Sequence, residues 1–144
     1  MVVIAAVDRS GRASIVLEEA ERLAEAFGTD AQAAHVLSKE EFVALQRTQV
    51  DETGSAIPTG AIQRAATEVA EEIVEDAGYE MAAVGLVGTP ADELISHATE
   101  QDADYVVLAG RERSAVGKAL FGSTAQAVIL HGHLPVVFVP VDSA

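Results

Sequence analysis

Fifteen residues, GRERSAVGKALFGST from Gly110 to Thr124, hold three glycines and three basic side chains directly after the apolar run DYVVLAG. Residues of these types at this spacing suit an anionic phosphate. Gly122 lets the backbone approach a ligand closely, and Ser123 and Thr124 offer hydroxyls. A helix starting there adds free N–H groups and the positive end of its dipole. Arg111, Arg113 and Lys118 add charge. Locally, the same residues also describe a glycine-ended loop with a serine N-cap. The stretch is not a Walker loop: position 112 is Glu where that motif needs Gly, and position 119 is Ala where it needs Ser or Thr.

A second polar segment, Asp8-Arg9-Ser10, follows the apolar run VVIAAV at residues 2–7. Arg9 and Arg12 fall there, and Arg111, Arg113 and Lys118 in the later loop, so five of nine basic residues occupy two short segments. If the segments meet, they form an electropositive spot on an acidic body, which attracts an anionic small ligand. In open α/β sheets ligands bind beyond the carboxyl ends of strands at the point where strand order reverses. Other chemistries find little support. Without cysteine there is no disulfide, thiol nucleophile or thiolate metal site. No G-x-S-x-G elbow, credible carboxylate pair or metal-ligating histidine spacing is present. His131-Gly132-His133 reads as a helix-ending turn, His35 as a strand residue, and His97 as a helix residue.

The elements that would position these segments are legible from periodicity. VVIAAV is a continuous apolar run and reads as a buried strand. Ala13, Val16, Leu17, Ala20, Leu23, Ala24 and Phe27 keep helical spacing up to Gly28. A strand over 31–37 follows, then a short helix or ordered loop in SKEEFVALQRT and a loop over 48–60. Ile62, Ala65, Ala66, Val69, Ile73 and Ala77 mark a helix stopped by Gly78; MAAVGLVG is the next strand. Thr89-Pro90 opens a helix, with Asp92 completing a box-like cap. Strands over 105–110 and within LPVVFVPV flank a helix from about Ser123 to Leu130. Buried strands joined by helical crossovers predict an α/β fold, a parallel sheet with helices on both faces and no second domain.

The totals agree. Of 144 residues, 49% are hydrophobic and only 4% aromatic, so the core is aliphatic and alanine-rich. Twenty-three acids against 9 Lys+Arg give a formal charge of -14, which argues against broad binding to nucleic acid or anionic membranes. No run approaches the roughly 18 apolar residues of a membrane span. The opening MVVIAAVDRSGR lacks a basic leader region and reads as a strand, so a cytoplasmic location is expected.

VVIAAVD-x-S, a strand ending in His35-Val36, and the long run from GTPADELISHATEQDADYVVLAG through the glycine loop to P-V-V-x-V together resemble the universal stress protein family. The resemblance covers nearly the whole chain. It implies a single-domain, Rossmann-like, five-stranded parallel sheet in the order 3-2-1-4-5, with the first and fourth strands adjacent. It also implies an adenine nucleotide, ATP or AMP, at their carboxyl ends. Ala6, Val7 and Asp8 then meet adenine and ribose, with Asp8 also placed to help hold Mg²⁺. Val36 supplies a backbone contact to adenine, and Gly110, Gly122, Ser123 and Thr124 meet ribose and phosphates. Arg111, Arg113 and Lys118 are added on charge alone.

The family's ATP-binding branch spaces its loop as Gly, two residues, Gly, nine residues, Gly, then Ser or Thr. Here Arg113 replaces the second glycine and eight residues separate it from Gly122, a shortened form similar to that of extreme halophiles. A guanidinium at 113 either crowds the phosphates or engages them. The expected protein is a nucleotide-binding regulatory module, not an enzyme, and a homodimer through the apolar edge strand LPVVFVPV. Two other readings stand beside it: a dimeric signalling module that binds no nucleotide, and a weak Mg²⁺-dependent ATP hydrolase.

Overall fold

A computed structural model describes residues 1–111 and 122–141. Strands β1 (Val2–Ala6), β2 (Asp30–Leu37), β3 (Ala82–Val87), β4 (Tyr105–Arg111) and β5 (Val136–Val141) form one sheet in the order β3-β2-β1-β4-β5. All four pairings are parallel. Helices α1 (Ala13–Phe27), α2 (Lys39–Thr53), α3 (Ile62–Asp76), α4 (Pro90–Glu100) and α5 (Ser123–His131) connect them, with a 3₁₀ turn at Thr59–Ala61.

Continuous apolar strands make sense because both sheet faces are covered. Val3, Ala5 and Val7 point to one face, where Leu17, Ala20, Val69 and Ile73 of α1 and α3 pack on them. Ile4 points to the other, with Leu94 and Ala98 of α4 and Val128 of α5. The period-two alternation of a strand thus buries every residue of β1's middle, at about 1.5–3 kcal/mol for each large aliphatic side chain. Ile4, Leu17, Leu37, Val106 and Val107 are fully buried.

Two glycines set the geometry. Gly28 ends α1 in the left-handed region at φ 67°, where a side chain is strained. Gly85 lies in β3 beneath α3; a Cβ there would stand 2.0 Å from the Ala66 carbonyl carbon and 2.2 Å from the Thr67 nitrogen. Thr67 Oγ1 accepts from the Gly85 N–H at 3.2 Å, and the Gln63 side-chain amide donates to the Gly85 carbonyl. The helix backbone therefore sits almost on the strand.

The structure differs from the sequence reading at several places. Residues 48–53, expected as loop, complete the last turns of α2; Thr48 and Thr53 hydroxyls donate to carbonyls four residues back, and Gly54 ends the helix at φ 79°. Thr89 makes no side-chain cap bond, so the box with Asp92 does not form. Phe27 is 59% exposed and stacks on Tyr105, with ring centres 5.7 Å apart, instead of entering the core. Gly122, not Ser123, is the N-cap of α5. His97 is buried in the α4 interface, where its Nε2–H donates to Gln32 Oε1 at 2.7 Å.

Candidate functional site

Because β1 and β4 are neighbours, their carboxyl ends open into one crevice of about 590 Å³. Its floor is β-strand ends: Ala6 and Val7 after β1, Ala34 to Val36 in β2, and Leu108 to Gly110 in β4. Its walls are the first turns of three helices, contributed by Ala13 and Val16 of α1, Pro90 and Leu94 of α4, and Ser123 to Ala125 of α5. Of the residues singled out from sequence, Ala6, Val7, Asp8, Val36, Gly110, Gly122, Ser123 and Thr124 all line it. Arg111 is the last residue of β4, directly after Gly110. Arg113 and Lys118 lie outside the described residues.

None of these three helices has a side-chain cap at its N-terminus. The contrast is α2, where Ser38 Oγ accepts the Glu41 N–H at 3.3 Å. An uncapped first turn leaves N–H donors free and keeps the positive end of the dipole exposed to the crevice. Asp8 is partly committed: its Oδ1 accepts the Ser10 N–H at 2.8 Å in a local turn.

The two arginines of the first loop separate. Arg9 turns away, and its Nη2 contacts Glu72 Oε2 of α3 at 3.1 Å in an exposed pair. It borders a smaller hollow of about 460 Å³ beside Gly11, Ser14 and Asp76. Arg12, the N-cap residue of α1, lines the main crevice and forms no ion pair among the described residues. The expected cluster is therefore smaller at this loop than the sequence suggested: one arginine faces the crevice, not two. With no carboxylate partner among the described residues, its guanidinium is open to an anion.

The structure also adds residues that the sequence did not mark. Ser38 and Glu41 line the crevice, as does His35, beside Ser10 of the first polar segment. His35 is 3% exposed, and its Nδ1 and Nε2 stand 2.9 Å from the Val7 carbonyl oxygen and 2.9 Å from Glu41 Oε2. The sequence signal for this arrangement was a histidine near the end of a mostly apolar strand. Gly110 has a second reason to be glycine: a Cβ would meet Cε1 and Cζ of Phe138 at 2.8 Å, so β4 and β5 pack closely there. No group of three or more His, Cys, Asp or Glu among the described residues could hold a metal ion. No helix among them is long and apolar enough to cross a membrane.

Comparison with known proteins places this geometry. A chain from Methanocaldococcus jannaschii, universal stress protein MJ0531, is 28% identical over 117 residues, covering 81% of this chain and 68% of its own. A universal stress protein structure from Archaeoglobus fulgidus superposes with a TM-score of 0.62 at 28% identity over 96% of each chain. A structure of the universal stress protein from the same organism in complex with dAMP gives 0.58 at 26% identity, covering 96% of this chain and 95% of that one. The family's own sequence profile matches residues 1–140, and with that the chain belongs to the universal stress protein family.

Proposed function

We propose that the crevice binds an adenine nucleotide and that the protein is a nucleotide-responsive regulatory module with no catalytic centre of its own. The observation that carries the reading is the convergence on one crevice, at the β1–β4 strand ends, of three uncapped helix starts and Arg12, which has no ion-pair partner among the described residues. Such a site offers N–H donors and positive potential to phosphate oxygens, while apolar strand ends offer a surface to a flat base. The relative bound to dAMP supports the ligand class.

In this reading the base rests against Ala6, Val7 and the Val36 backbone. Asp8 and Gly110 meet the ribose. Gly122, Ser123, Thr124 and Arg12 meet the phosphate, joined by Arg111, Arg113 and Lys118 from the glycine loop. With ATP, a Mg²⁺ ion would rest on Asp8 and on the nucleotide's own phosphates, since Mg²⁺ accepts one or two carboxylates plus phosphate oxygens. Edge strand β5 pairs with a second copy to give a homodimer.

Calorimetric titration of stripped protein with AMP, and with ATP plus Mg²⁺, in high KCl tests the proposal. Saturable binding at micromolar concentration is expected, with no phosphate released from ATP above buffer. Heats no larger than dilution, on folded protein, would leave the dimeric module without nucleotide as the better description. Steady phosphate release would favour the hydrolase.

A further inference from the structure

His35 is the most deeply buried polar residue of the crevice, yet nucleotide contacts leave it without a task. Its two neighbours define what its ring does. A carbonyl oxygen only accepts, so Nδ1–H is the donor to Val7. That leaves Nε2 facing a carboxylate oxygen at 2.9 Å. That contact is short enough to hold the ring against the carboxylate. The imidazole is therefore a two-ended strut, engaged on both sides.

The two ends belong to different parts of the molecule. Val7 is the exit of β1, where the chain turns toward Asp8; its own N–H donates to the Ala34 carbonyl at 2.9 Å, next to His35 in β2. Glu41 is in the first turn of α2. Helix α2 has little else to hold it. None of its residues is buried, and Val43 and Val50 are exposed. Phe42, Leu45, Gln46 and Gln49 are half-buried; Leu45 packs against the core, and Gln46 accepts the Ile57 N–H at 2.6 Å and donates to the Ile57 carbonyl at 3.3 Å. Those bonds tie α2 to the following loop; among the described residues, its start is held to the crevice wall by the Ser38 cap on the Glu41 N–H and, from a strand across the crevice floor, by the His35–Glu41 contact.

We propose that His35 is a positioning residue that couples the nucleotide crevice to α2. By fixing the Val7 carbonyl and the Glu41 carboxylate relative to each other, it makes the β1 exit and the start of α2 one unit. A ligand that settles on Val7 and Asp8 then also steadies α2, and α2 presents occupancy on the protein surface. The coupling rests on the nucleotide reading above; the strut itself does not.

Amide hydrogen exchange, resolved by segment, separates the two. Without nucleotide, Glu41→Ala should raise exchange over residues 39–53 about tenfold, the equivalent of one lost charge-assisted hydrogen bond, and leave α3 unchanged. Glu41→Gln retains a hydrogen-bonding partner for Nε2 and should restore part of the protection. Saturating AMP should slow exchange at residues 6–8 and at 39–53 in the natural protein. In Glu41→Ala, held at AMP concentrations that saturate it, only residues 6–8 should respond. A purely structural contact would not lose the ligand response in α2 while keeping it at β1. If α2 exchanges equally in all three proteins without AMP, the strut is refuted. If AMP protects residues 6–8 but never α2, the coupling is refuted. If AMP protects neither, the nucleotide reading fails and the coupling with it, while the nucleotide-free comparison still decides the strut.

Discussion

Gly85→Ala should be among the costliest single-methyl changes in this protein. The added Cβ would lie 2.0 Å from the Ala66 carbonyl carbon and 2.2 Å from both the Ala66 oxygen and the Thr67 nitrogen. These are backbone atoms, so no side chain can swing aside. Helix α3 would have to retreat by about 1.4 Å to restore the 3.4 Å of ordinary contact. That movement would separate Ala66, Ala70 and Ile73, all buried, from the sheet. It would also stretch the Thr67 and Gln63 bonds to the Gly85 backbone. Overpacking of this kind costs about 1–3 kcal/mol, and the two strained hydrogen bonds add about 1 kcal/mol each. A total of about 3–5 kcal/mol is expected. With about 2.1 cal/mol/K of unfolding entropy per residue over 144 residues, the melting temperature should fall by about 10–16 °C. Thermal denaturation by circular dichroism in high KCl reads this directly. Gly60→Ala is the control: no atom lies within 4 Å of its Cβ position and its φ is not positive, so it should move the melting temperature by a few degrees at most. A Gly85→Ala protein melting within 3 °C of the natural one would refute the argument that α3 is seated by backbone contact.

Other outcomes follow from the site and the charges. Arg12→Gln should weaken AMP about ten- to a hundredfold by calorimetry, the range of one hydrogen bond to a charged group, whereas Arg9→Gln, whose guanidinium faces Glu72, should not; equal losses would mean that Arg9 also serves the crevice. Burial pushes the His97 imidazole below its ordinary 6.5, with Glu100 partly opposing. The folded state therefore binds this proton less readily than the unfolded chain, and the stability present above about pH 6.5 declines as pH falls toward the lower folded value. His97→Gln should flatten that part of the melting-temperature profile; parallel profiles would exclude His97 as its source. Because net charge is -14, raising KCl should raise the melting temperature as self-repulsion is screened, and equal values in low and high KCl would contradict this. Light scattering in high KCl should find a dimer, and Val139→Lys on edge strand β5 should yield monomer; a monomeric natural protein removes the β5 proposal.

Local chemistry was enough for much of this molecule. Apolar runs bounded by turn residues marked all five strands, because a strand buried on both faces shows no polar alternation. Helical spacing marked α1 and α3, and Gly28 and Gly78 marked where they stop. Segments around Asp8 and Gly122 stood out because glycine, hydroxyl and charge together have few uses after a buried strand. The resemblance of the glycine loop supplied the strand order and the ligand class, which periodicity does not contain.

What the tertiary structure decided is the partner of each side chain. Arg9 and Arg12 are three residues apart in a loop, yet one meets Glu72 and the other the crevice, since the chain turns at Gly11 between them. His35 read as one more strand residue; its meaning depends on the Val7 carbonyl, 28 residues away, and on Glu41. His97 is buried because Gln32, 65 residues distant, offers it an acceptor. In sequence Gly85 is one residue of the strand MAAVGLVG; in the fold it is the seat of α3. Propensity and hydrophobic period act between near neighbours in sequence, so they are visible in it. Hydrogen-bond partners and close backbone approaches depend on which elements become adjacent, and only the folded sheet brings those atoms within reach.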